Sequence, residues 1–203
     1  MFYLGVYIGE EKARVVVVEK EYFSGKRRYH VAHVDCLDGS EDEVTSQLLR
    51  MRLDERWTAV KKVFSQSGRP PRKKAEPPLI LLSSFDDGLH MAQALRRRCA
   101  SVEVMVRQEP GDAFREKLKA KSFHNCHVVE AADLFRSMGR AVSKGRLDQA
   151  EMALDTWAEL SPIGDALRLS PHDLPSFNGT TPWFYALGNC IWHGETVRRV
   201  KRY

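Results

Sequence analysis

The chain has 203 residues, 43% of them apolar and 29% charged, with a formal net charge of +5. That composition belongs to a globular chain with enough apolar surface for a real core, and it excludes one too polar to fold. No apolar run approaches the ~20 residues that span a bilayer, so no membrane partner is expected.

Met1 leads straight into Phe2–Ile8 without a basic leader or a small-residue cleavage site. Cys36, Cys99, Cys126 and Cys190 show no C-x-x-C spacing. Reduced, mostly core cysteines in a cytoplasmic protein are the expectation.

Phe2, Leu4, Val6 and Ile8 alternate with Tyr3, Gly5 and Tyr7, the period of a strand. Ala13–Val18 is a continuous β-branched run, suited to a strand covered on both faces. Tyr29–Cys36 makes a third strand after a turn at Ser24-Gly25-Lys26, and the short link 9–12 predicts an antiparallel hairpin. Ser40 with Glu43 forms a capping box that opens a helical region. Val44, Leu48, Trp57, Val60 and Phe64 are its apolar positions, spread over one or two helices. The basic, proline-rich stretch 69–78 then reads as a loop, since it can be neither helix nor inner strand.

Leu79–Leu82 predicts a fully apolar strand, Asp87–Arg98 a helix and Val102–Val106 a parallel strand. Residues 108–126 are polar, with a helix candidate at Asp112–Lys121, and His127–Val129 is a short strand candidate. Ala131–Ser143 reads as an amphipathic helix stopped at Lys144-Gly145, where glycine takes the left-handed cap. A further helix is expected within Leu147–Leu160, then loop from Ser161 to Thr181. Pro182 suits the first position of a last helix through Trp183, Ala186, Leu187, Cys190 and Ile191. Antiparallel strands followed by strand–helix–strand units imply an α/β fold: one mixed sheet, antiparallel at first and then parallel, with helices on both faces. Residues 1–203 read as a single domain.

Three local sequences carry a family likeness. They are Leu4-Gly5-Val6-Tyr7-Ile8-Gly9, the apolar strand ending Leu81-Leu82-Ser83-Ser84 before Phe85-Asp86-Asp87-Gly88, and Glu130–Leu134 running without a gap to Gly145-Arg146-Leu147. Their order, with Gly179–Leu187 opening the last helix, resembles the ribonuclease H-like nuclease domain of phage terminase large subunits and stand-alone relatives, over most of residues 2–195. The resemblance implies a ribonuclease H-like sheet and metal-binding carboxylates at three places. Here those places hold Tyr7, Ser83 and the pair Thr181–Pro182.

Hydrolysis by two divalent ions about 3.5–4 Å apart needs carboxylates to offset their repulsion. A phenol, a hydroxyl and a proline do not supply that charge. The chain also lacks a G-x-x-x-x-G-K-[ST] loop, so it carries no terminase-type ATPase motor. Gly5–Gly9 is similar to the first phosphate loop of actin-like kinases too, but those proteins need two such halves.

The reading that follows is a non-catalytic ribonuclease H-like protein of phage or prophage origin, without a cofactor, that binds DNA or another phage protein. One alternative is a living nuclease with relocated carboxylates at Asp86, Asp87 and Asp133, loaded with magnesium or manganese. Helix capping or a solvated position is the ordinary reading of those three. Another alternative is an assembly module that presents a sheet edge or an exposed helix face with Trp183 and Trp192. No residue pattern speaks for or against a homo-oligomer. For nucleic acid, the candidates are Arg69, Arg72, Lys73 and Lys74 in the loop, and Arg198, Arg199, Lys201 and Arg202 in the basic tail 197–203. His124-Asn125-Cys126-His127 clusters donor atoms, but no partner pair at finger-like spacing exists, so chance is its ordinary reading.

Overall fold

The computed structural model describes residues 1–9, 12–63, 72–84, 89–98, 101–106, 126–148 and 181–197. Strands β1 (Phe2–Ile8), β2 (Lys12–Phe23) and β3 (Lys26–Asp38) form an antiparallel meander. The β2–β3 turn places Ser24 at φ 49° and Gly25 at φ 76°, the two left-handed residues that a tight hairpin turn requires. Helix α1 (Glu41–Leu53) opens on the expected capping box, with Ser40 and Glu43 bonded reciprocally.

Strand β6 (Leu79–Ser84) pairs parallel with β1, and β7 (Val102–Val106) pairs parallel with β6, after helix α2 (Leu89–Arg98). Strand β8 (Cys126–Val128) adds to β7, and the two-residue β9 (Leu147–Asp148) adds to β3 after helix α3 (Ala131–Ser143). Helix α4 (Thr181–Thr196) closes the fold. The main sheet runs β8-β7-β6-β1-β2-β3-β9, the ribonuclease H-like mixed order of antiparallel strands followed by parallel ones.

Period two along the strands sends alternate residues to opposite layers. Leu4, Val6, Val15, Val17, Ile80, Leu82, Val102 and Val104 pack with Val44 and Leu48 of α1 and with Met91, Ala92 and Leu95 of α2. Tyr3, Tyr7, Val16, Val18 and Leu81 pack on the other side with α3 and α4. The β-branched run at 15–18 is fully buried on both faces, as its composition predicted. Gly145 takes φ 58° after α3, the expected left-handed cap.

Two expectations are corrected. The apolar positions after Leu48 do not continue a helix: Asp54 ends α1 and caps a 3-10 turn at Glu55–Trp57, and Ala59–Val63 is strand β4. Val60 and Val63 favour extended backbone there, and no helical stripe remains to be buried. Within the proline-rich stretch, Arg72–Glu76 is strand β5, antiparallel to β4 in a separate two-stranded ribbon. Its residues lie between Pro71 and Pro77 and keep every N–H, and a two-stranded ribbon has only edge strands, which tolerate proline at their ends. Leu147–Asp148, at the start of the stretch in which a further helix is expected, is strand β9. The expected helices at Asp112–Lys121 and after Asp148, together with Phe64, Cys99 and the 161–180 loop, lie outside the described residues.

Helix α4 runs antiparallel along β1. Tyr185 stacks on Tyr7, Ala186 and Cys190 cover Gly5, and His193 meets Tyr3. Glycine is required at position 5: a Cβ there would collide with the Ala186 carbonyl and come within 2.6 Å of Cys190 Sγ. The C-terminal end of α4 is held by cations, which its dipole favours. Lys20 Nζ donates to the Gly194 carbonyl, Arg27 to that of Glu195, and Arg146 pairs with the Glu195 carboxylate at 3.1 Å.

Candidate functional site

Tyr7 and Ser83 sit directly opposite each other across the parallel β1–β6 pair, near the C-terminal ends of both strands. Open α/β sheets place their sites at that end. The two residues expected to mark a lost metal site are therefore adjacent, and both are buried. Their surroundings are filled. The rings of Tyr7 and Tyr185 stack with centroids 5.7 Å apart and planes at 21°. Asn189 Nδ2 donates to Ser83 Oγ at 3.1 Å, and that hydroxyl reaches the Val6 carbonyl at 3.4 Å. An aromatic pair and an amide–hydroxyl bond thus take up space beside Tyr7 and Ser83.

The α4 residues that meet this pair are Tyr185 and Asn189, one and two turns beyond Pro182. Thr181 opens the helix and half-buried Pro182 follows it. Tyr185 and Asn189 were missed by sequence reading. A signal existed: on a helix that begins near Pro182, positions 185 and 189 share one face with Pro182 at 3.6-residue periodicity.

Asp133 lies in the first turn of α3 and pairs with Arg136 at 2.7 Å, an exposed i,i+3 contact in keeping with its ordinary reading. Asp86 and Asp87 lie outside the described residues. Cys190 is fully buried, and burial raises its thiol pKa well above the ordinary range. Cys36, by contrast, is exposed rather than core. The tryptophans expected on an exposed helix face are not there: Trp183 is buried with Arg14 over its ring, and Trp192 is half-buried with its edge against His127.

At the other end of α4 lies a cluster that sequence reading set aside. Glu103 of β7 accepts hydrogen bonds at one carboxylate oxygen from His127 Nε2 of β8 at 2.7 Å and from His193 Nε2 of α4 at 2.8 Å. The two imidazoles stand nearly perpendicular, at 84° with centroids 5.9 Å apart. His193 is buried, whereas Glu103 and His127 are partly exposed. Burial pushes the Glu103 carboxyl pKa upward, but the bonds and charges of His127 and His193 outweigh it and hold the group down at about 2. The three donor atoms lie within 4.8 Å of one another, so this trio is the group among the described residues that could hold a metal ion. His127, from the His124–His127 stretch, is one member of this trio. Its partners are 24 residues before it and 66 after it in the chain, and no local spacing could reveal them.

The basic clusters divide. Arg27 is committed to Glu195, and Arg28 stacks over Phe23 at 4.8 Å, beside a groove also lined by Glu19 and Glu21. That groove carries both signs of charge. The β4–β5 ribbon does not: it registers Lys61 opposite Lys74 and Lys62 opposite Lys73, with Arg72 at its end and Glu76 its one acidic residue. Lys73 and Lys74 are exposed. Arg69 and the tail cations Arg198, Arg199, Lys201 and Arg202 lie outside the described residues.

No protein-family model, no curated protein and no solved structure matches the chain. Among the described residues no helix is long and apolar enough to cross a membrane.

Proposed function

We propose that this protein binds nucleic acid without cutting it, as a degenerate ribonuclease H-like protein of phage or prophage origin that uses its β4–β5 ribbon as the contact element. The observation that carries the reading is the lysine-on-lysine register of that ribbon. Like charges directly opposite on paired strands are destabilising. A polyanion removes that repulsion and gains from counterion release. A two-stranded ribbon also has dimensions that the ~12 Å major groove of duplex DNA admits. The filled ground at Tyr7 and Ser83 supports the non-cutting half, because the nuclease chemistry of this fold needs anionic ligands there.

The test is a duplex-binding titration by fluorescence anisotropy over a salt series. Five ribbon cations (Lys61, Lys62, Arg72, Lys73, Lys74) set an upper slope of about −4.5 for log affinity against log salt, at roughly −0.9 per phosphate contact. Changing Lys73→Glu together with Lys74→Glu is expected to weaken binding at least tenfold while leaving the thermal melt unchanged. Equal affinity in the double variant, or no binding at low salt, sinks the proposal. Plasmid cleavage with magnesium or manganese that depends on Asp86, Asp87 or Asp133 would overturn the non-cutting half and restore the relocated-nuclease reading.

A further inference from the structure

We infer that Glu103, His127 and His193 form a binding site for one transition-metal ion of the zinc class, with a coordination position left open toward solvent. Three elements that are remote in sequence (β7, β8 and α4) each send one donor atom to a common point. Two imidazole nitrogens and one carboxylate oxygen make a donor set that suits zinc and its neighbours, with water in the fourth place. Magnesium is disfavoured, since it requires a shell of hard oxygens and the cluster offers one carboxylate.

Charge argues in the same direction. As metal ligands both imidazoles are neutral, and among the described residues no lysine or arginine pairs with Glu103 to compete with an ion. A divalent ion would therefore meet the Glu103 carboxylate without a rival side-chain cation, at the point where both rings already converge. The perpendicular arrangement of the rings lets both nitrogen lone pairs reach one ion from different directions.

The fit requires a small opening. Tetrahedral ligands at about 2.0–2.1 Å from zinc are roughly 3.4 Å apart, whereas the two Nε2–Oε2 separations are 2.7 and 2.8 Å. The Glu103 side chain, partly exposed, can draw back by that half ångström. Loading also moves each ring proton from Nε2 to Nδ1, and His193 Nδ1 is buried without a partner. Ligating histidines ordinarily donate that proton to an acceptor, and losing such a partner weakens a site by about 10- to 100-fold. The expected dissociation constant is therefore on the order of micromolar, weaker than in a closed structural zinc site.

The experiment uses the full chain, stripped with chelator and titrated with zinc chloride by calorimetry and with cobalt chloride by visible absorption. One ion per chain is expected, with the d–d bands of low-symmetry cobalt. Glu103→Gln and His127→Gln should each weaken binding at least tenfold. His127 lies on the exposed side of the cluster, so His127→Gln keeps the fold testable by circular dichroism even if Glu103→Gln does not. Absence of zinc and cobalt binding at about 100 µM free metal, or an unchanged affinity in folded His127→Gln, overturns the assignment.

Discussion

Two polar spots lie under one helix, one where Tyr185 meets Tyr7 and the other where His193 meets Tyr3, and the chain has treated them in opposite ways. At the C-terminal end of the parallel strands, Tyr7 and Ser83 are neutral and are matched by a second ring and an amide from α4. Two turns further along the same helix, His193, packed against Tyr3, reaches a carboxylate of β7 that also holds His127. A buried charge is tolerated only where donors satisfy it. The first spot has no charge to satisfy, and the second surrounds its charge with donors from two elements. The pair teaches that the habitual end of a fold's chemistry need not be where a given chain keeps its ionisable groups.

The sharpest way to break this comparison is to lift α4 off both spots at once. Gly5→Ala puts a methyl group against the Ala186 backbone, and overpacking of this kind costs about 3 kcal/mol. The expected fall in melting temperature is roughly 6–12 °C for a chain of this size, followed by circular dichroism. A melt within about 2 °C of the parent would mean that the helix does not approach β1 so closely.

Next in size is the return of a charge to the neutral spot. Tyr7→Asp places a carboxylate in a buried aromatic site and is expected to destabilise by about 3 kcal/mol in urea titration. Magnesium-stimulated cleavage is not expected to appear. Its appearance would show that the ground there still accepts cations.

The smallest effect belongs to the charged spot and is read through pH. The Glu103 carboxyl lies at about 2, below its ordinary 4.5. A depressed folded-state value contributes stability that is complete above the unfolded value and lost as pH falls from about 4.5 toward 2. The contribution is on the order of 2–3 kcal/mol. Glu103→Gln should remove most of it at neutral pH and flatten the acid limb of the stability profile between those values. An acid limb identical to the parent's would show that the carboxylate is not held by the two histidines.

Much of the fold was legible in local pattern. The alternation in Phe2–Ile8, the β-branched run at 15–18, the Ser40–Glu43 box and the Gly145 cap each specify geometry through a few neighbouring residues. Where local pattern misled, a tertiary or topological choice had overridden it. Val60 reads as an apolar position of the one or two helices opened at Ser40, but Asp54 closes α1 and Ala59–Val63 is a strand. Residues 72–76 were assigned to a loop because prolines flank them, whereas a ribbon made only of edges accommodates those flanks. Of the candidate site, Tyr7 and Ser83 could be named from the chain, whereas helical periodicity puts Tyr185 and Asn189 on one face of α4 without saying what that face meets.

By itself, then, the sequence determined most of the elements, the two-faced sheet and the neutral residue types at positions 7, 83, 181 and 182, because these depend on residue type and short spacing. Only the tertiary structure decided that Tyr185 and Asn189 occupy the ground beside Tyr7 and Ser83, and that Glu103, His127 and His193 meet. Those contacts join residues from 24 to more than 170 positions apart. Burial, strand register and the path of α4 bring them together, and no short-range pattern encodes that.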